Sequence, residues 1–169
     1  MGSVEPEYWY RTASDDGGVV FLTGVPFKFS RVHKVHTSFV HSVCYSPSGA
    51  LFASAGADRK IFLYDGTSGD QTVSLSGHEG SIFAVAFSSD ATLASTSADG
   101  TVRLWDAESQ KETMKWSFGK EQQVGLCWVG ETAVSVSANG DLNLIDQRQG
   151  EKPSRVISVC SLQLALHLT

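Results

Sequence analysis

The chain has 169 residues, of which 18% are charged and 10% aromatic, and a formal net charge of -5. That length permits a sizeable core, and the mildly acidic balance gives no electrostatic footprint for nucleic acid. No stretch resembles a membrane span, and residues 1–10 carry acids and no apolar run, so neither a membrane contact nor a signal peptide is expected and the setting is predicted to be cytoplasmic or nuclear.

A unit of about forty residues repeats along the chain. Ala57-Asp58-Arg59-Lys60-Ile61-Phe62-Leu63-Tyr64-Asp65 returns 41 residues later at 98–106 and 40 further on at 138–146, while 16–22 lies 42 residues upstream. Residues 1–32 read as the end of a partial unit and a connector, Gly24-Val25-Pro26-Phe27-Lys28-Phe29. Residues 33–76 are predicted to hold four strands: 39–45, the small-residue run 51–56, the alternating run that ends at Asp65, and 72–75. Residues 77–117 repeat this pattern with strands at 81–87, 93–97, before Asp106, and at 112–116. Residues 118–157 repeat it again with strands at 124–128, from Val134, before Asp146, and at 154–157. The tail 158–169 is apolar, has no turn signals and lacks the Gly-His that would open another unit, which suggests a truncated or mis-spliced reading frame. Four short antiparallel strands per unit make a propeller blade, so the fold is predicted to be all-β, an incomplete β-propeller of about three and a half four-stranded blades.

Cys44, Cys127 and Cys160 are odd in number and lack metal-ligand spacing; they are read as reduced core thiols, with no metal site. No carboxylate pair, phosphate loop or activated nucleophile appears, so no catalytic residue, cofactor or small-molecule substrate is expected.

Gly77-His78 opens the second full unit and Trp105-Asp106 closes it, with Ser95 and Asp99 between. On these residues the chain resembles the WD-repeat family, in which such a His78, Ser95, Asp99 and Trp105 form a hydrogen-bonded structural tetrad. The closing Trp also argues against reading the Ser, His and Asp as a catalytic set. The first full unit keeps His36, Ser54 and Asp58 but has Tyr64 for Trp. The third has Ser135, Asn139 and Ile145 and no His at the expected place, so both of these networks are expected to be weaker.

Three stretches narrow the resemblance: the Pro26-Phe27-Lys28-Phe29 connector, the run from Phe39 through Tyr45-Ser46-Pro47 to Asp65-Gly66, and Gln122-Gln123-Val124-Gly125-Leu126-Cys127-Trp128. In this order they are similar to the actin-interacting WD-repeat proteins, whose members carry two propellers. The resemblance implies a cofactor-free protein of the cytoplasm that cooperates with cofilin to disassemble actin filaments. It also implies that Asp15, Phe29 and Phe39 contribute to the actin and cofilin surface. Two other roles fit a WD propeller: a scaffold for other partners, or a substrate receptor of a cullin-type ubiquitin ligase, whose Trp-Asp-x-Arg ending Ile145-Asp146-Gln147-Arg148 approaches.

Overall fold

Period-two side-chain alternation lets a strand bury both of its faces when a sheet lies on either side, and here it builds a row of packed antiparallel sheets. The computed structural model describes residues 9–13, 16–23, 28–150 and 155–158. The first sheet has three strands, β1 (Trp9–Ala13), β2 (Gly18–Thr23) and β3 (Lys28–Lys34). The second holds β4 (Val40–Tyr45), β5 (Leu51–Gly56), β6 (Lys60–Asp65) and β7 (Gln71–Ser76), paired in chain order. The third holds β8 (Ile82–Phe87), β9 (Thr92–Ser97), β10 (Thr101–Asp106) and β11 (Lys111–Ser117). The fourth holds β12 (Gln123–Val129), β13 (Thr132–Ser137), β14 (Asp141–Asp146) and β15 (Arg155–Ser158). The first strands of these last three sheets, β4, β8 and β12, lie beside one another in that order, as the inner strands of a propeller do. The molecule is part of a β-propeller, and the only helix among the described residues is a single turn of 3-10 at Gln147–Gln149. No helix among the described residues is long and apolar enough to cross a membrane.

Each inner strand carries a bulge at the same place, after Val40, Ile82 and Gln123, which adds twist where the strands crowd together. The cores lie between sheets. Phe52, Phe62 and Tyr64 face back onto Val19 and Phe21, while Ala53, Ala55, Ile61 and Leu63 face forward onto Ile82, Leu93 and Trp105. Val102, Leu104 and Trp116 meet Ala133 and Ile145 in the third core. The far face of the fourth sheet, with Val134, Val136, Leu142 and Leu144, is only half-buried. Cys127 is exposed, in contrast to the core thiol expected; apolar alternation does not say which face of a strand a neighbour covers. Cys44 packs against the second core, where burial pushes its thiol up to about 12. Cys160 lies outside the described residues.

Every four-stranded sheet has a fully buried serine on its second strand, Ser54, Ser95 or Ser135, whose hydroxyl must give and receive a hydrogen bond. In the third sheet Trp105 Nε1 donates to Ser95 Oγ (2.8 Å), and Ser95 Oγ lies 2.7 Å from His78 Nε2. His78 Nδ1 lies 2.9 Å from Asp99 Oδ2. Burial holds the His78 imidazole below the ordinary histidine range, so the neutral ring accepts from Ser95 at Nε2 and donates to Asp99 at Nδ1. Burial alone would raise the Asp99 carboxyl. Hydrogen bonds from Thr101, the Glu79 amide and His78 outweigh it and hold the group well below the carboxylate range. Arg103 adds an ion pair to Glu112 at 2.5 Å.

In the second sheet Tyr64 supplies what Trp105 supplies in the third. Its hydroxyl lies 3.1 Å from Ser54 Oγ, and Ser54 Oγ lies 2.8 Å from His36 Nε2. His36 Nδ1 in turn donates to Asp58 at 2.9 Å. Burial pushes the Tyr64 phenol up to about 12, so it keeps its proton to donate. The weakening expected from the Tyr substitution is not visible in the bonding, because a phenol and an indole each offer one donor at the same place.

The fourth sheet solves the same problem with different residues. Ser135 Oγ donates to Gln123 Oε1 (3.0 Å), and Asn143 Nδ2 donates to both Gln123 Oε1 (2.9 Å) and Ser135 Oγ (3.3 Å). Gln123 thus takes the acceptor role of histidine, and Asn143 the donor role of tryptophan. The tight turn between the second and third strands of the four-stranded sheets also varies: Gly100 and Gly140 occupy its left-handed position in the third and fourth sheets, as Gly17 does between β1 and β2, but Arg59 holds φ 66° in the second.

Two outcomes are expected from this bonding. Trp105→Phe keeps most of the packing but removes the donor to Ser95, so equilibrium unfolding in urea should show a loss of about 1–2 kcal/mol without a change in secondary structure. Stability should also fall on acidification. A neutral, buried His78 with a lowered pKa binds fewer protons than the unfolded chain once the pH drops below about 6.5, so stability declines from there. Asp99, also lowered, adds a second loss as the pH falls below its ordinary value of 3.8. Unfolding midpoints measured from pH 7.5 to 3 should therefore decline in two stages.

Candidate protein-interaction site

The loop that leads into β4 is held at both ends by the second sheet's own polar network. Asp58 accepts from the His36 ring and from the Thr37 amide at 3.2 Å, and the Ala57 amide donates to the Phe39 carbonyl at 2.8 Å. Gly56 allows that approach, since a side chain there would run into the Phe39 carbonyl. The backbone of Phe39 is thereby fixed while the residue remains 51% exposed. Ser81 and Gln122 accept the same bond, from Ala98 and Ala138, in the third and fourth sheets, so an aromatic at this position is particular to the second.

The turn at Asp16 and Gly17 abuts this loop: a side chain at Gly17 would strike the His36 carbonyl. Lys34 Nζ pairs with Asp16 Oδ2 at 2.7 Å on the same rim, with both side chains more than half exposed. On the inner strands the His41 ring stacks on Phe83, with centroids 5.4 Å apart and planes 21° from parallel, and donates from Nδ1 to the Ile82 carbonyl at 3.0 Å. The arrangement is an exposed aromatic on a rigid backbone beside a charged rim, which suits the anchoring of a protein partner.

Of the three residues expected at the interface, Phe39 lies on this exposed rim and Asp15 lies outside the described residues, next to the Asp16 turn. Phe29 pairs with Leu22 near the start of β3, and the strand runs five residues further before the loop that carries Phe39. At about 3.3 Å per residue, that is roughly 16 Å along the blade.

The serine, histidine and aspartate of the second and third sheets have hydrolase-like spacing, yet Ser54 and Ser95 are fully buried and each hydroxyl is already engaged on both sides. Arg148, in the Asp146-Gln147-Arg148 ending, folds back on its own sheet, pairing with Asp146 at 2.9 Å and Glu131 at 3.0 Å. Gln123 and Asn143, which serve the fourth sheet's serine, stand outside the tetrad positions expected from the sequence. The signal was present in the break of pattern, since Gln123 stands where Val40 and Ile82 stand in the other sheets.

A model of the WD domain, G-beta repeat family matches residues 27–65 and 69–106. WD repeat-containing protein 1 of Xenopus tropicalis is 41% identical over 153 residues, 86% of this chain and 25% of that protein. WD repeat-containing protein 1 of Gallus gallus is 38% identical over 157 residues, 89% of this chain and 26% of its own length. Actin-interacting protein 1 of Drosophila melanogaster is 38% identical over 152 residues, 86% of this chain and 25% of the fly protein. The chain spans about a quarter of the length of these relatives. The chain is therefore a WD40-repeat protein related, over most of its own length, to WD repeat-containing protein 1 and actin-interacting protein 1.

Proposed function

We propose that this chain contributes an actin-binding surface at the actin cytoskeleton and cooperates with cofilin in filament disassembly, through contacts rather than catalysis. The observation that carries the reading is Phe39, an aromatic 51% exposed on a backbone pinned by Ala57 and Asp58, in a chain related to a protein named for its interaction with actin. Phe39 is the apolar anchor and Asp15, beside the Asp16 turn, the charged rim. Phe29, roughly 16 Å away along β3, is a second contact. One partner reaches both only if it spans that distance, which a filament side does and a short peptide at a single pocket does not.

Phe39→Ala is expected to weaken co-sedimentation with cofilin-coated filaments by about thirtyfold, the cost of truncating an interface hot spot of about 2 kcal/mol. Its unfolding midpoint should stay at that of the parent, since the ring is mostly outside the core. Binding at the parent affinity would place the surface elsewhere, and early melting would make Phe39 a packing residue.

A further inference from the structure

The fourth sheet differs from its neighbours in one more respect. Phe118 holds the chain position of His78, seventeen residues before the buried serine, and the acceptor for that serine comes instead from Gln123. A cavity of about 170 Å³ opens beside this substitution, lined by Phe118, Glu121, Gln123, Ser137, Asp141 and Asn143.

The lining is specific in charge. It contains two carboxylates and no cationic side chain, and among the described residues neither the Glu121 nor the Asp141 carboxylate has a hydrogen-bond or ion-pair partner. Asn143 is 2% exposed; its Nδ2 is engaged by Gln123 and Ser135, and its Oδ1 accepts from none of the described residues. Gln123 is committed at both ends, accepting from Ser135 and Asn143 and donating to the Glu121 carbonyl at 3.0 Å. What remains on offer is a set of acceptors, two of them charged, beside an aromatic ring that attracts cations over its face.

Size restricts the occupant. Pockets for drug-sized ligands run to roughly 300–1,000 Å³. At about 170 Å³ this one is smaller, which matches the end of one side chain. Among basic side chains, guanidinium fits best: it is planar, can lie against a ring, and carries five donors for acceptors spread around a cavity.

We propose that this cavity is a docking site for an arginine side chain of a protein partner. The site stands apart from the actin reading, because it uses none of Asp15, Phe29 or Phe39.

Saturation-transfer NMR on the full chain with N-acetyl-arginine methylamide, at low salt, tests it directly. N-acetyl-citrulline methylamide, a neutral isostere, and N-acetyl-lysine methylamide serve as comparisons. Arginine amide should receive saturation at its side-chain methylenes, several-fold more than citrulline or lysine amide. The isosteric double substitution Glu121→Gln with Asp141→Asn should weaken its binding roughly tenfold, while Asp65→Asn, in the second sheet, should leave it unchanged. Equal transfer to arginine and citrulline amides, or none to either, would overturn the site. Lysine amide binding as well as arginine would overturn the assignment to guanidinium. These ligand comparisons use the unsubstituted chain, so they decide the question whether or not the double variant folds.

Discussion

A buried hydroxyl that must both donate and accept is the constraint on which the rest of the molecule depends. Ser54, Ser95 and Ser135 have no access to water, and leaving one such group half-satisfied costs about 1–3 kcal/mol, a large share of a domain's stability. The bonds that meet this demand come from the loop or strand before the serine and from the strand after it, so meeting it also fixes how three segments of the sheet lie together. Two sheets use histidine as acceptor and an aromatic N–H or O–H as donor; the fourth uses two amides. The fold tolerates the exchange because each solution supplies one donor and one acceptor at the same point.

The surface follows from these interior choices. In the second sheet His36 reaches Asp58, Asp58 holds Thr37, and the tethered loop presents Phe39 on a fixed backbone. In the fourth sheet the acceptor moves to Gln123, no imidazole is used, and a cavity with unpaired acceptors opens beside it. The same requirement in the core thus yields an aromatic anchor on one blade and an acidic pocket on another. Blades built on one repeat pattern can in this way carry different surfaces without disturbing the sheet beneath them.

Much of this was legible in the sequence, and the rest was hidden for physical reasons. The forty-residue period, the strand alternation and the Gly77-His78 to Trp105-Asp106 frame pointed to the propeller because they are local and repeated. Gln123 and Asn143 escaped because comparison of the chain with itself aligns them to Ile82 and Arg103, residues that take no part in the serine's bonds in the third sheet. Tyr64 looked like a loss because a residue name conceals that phenol and indole both donate. The separation of Phe29 from Phe39 depends on the direction of β3, and the exposure of Cys127 on which face of β12 is covered; neither is written in the residues themselves.

Gln123 acts on the fold through Ser135 rather than as a passive core residue. A double-mutant cycle of Gln123→Ile and Ser135→Ala, read by equilibrium unfolding in urea, measures this directly. Each single change should destabilise by stranding the other's polar atom, and removing both together should cost less than the sum, with a coupling of about 1 kcal/mol or more. Costs that add to within about 0.3 kcal/mol would contradict it.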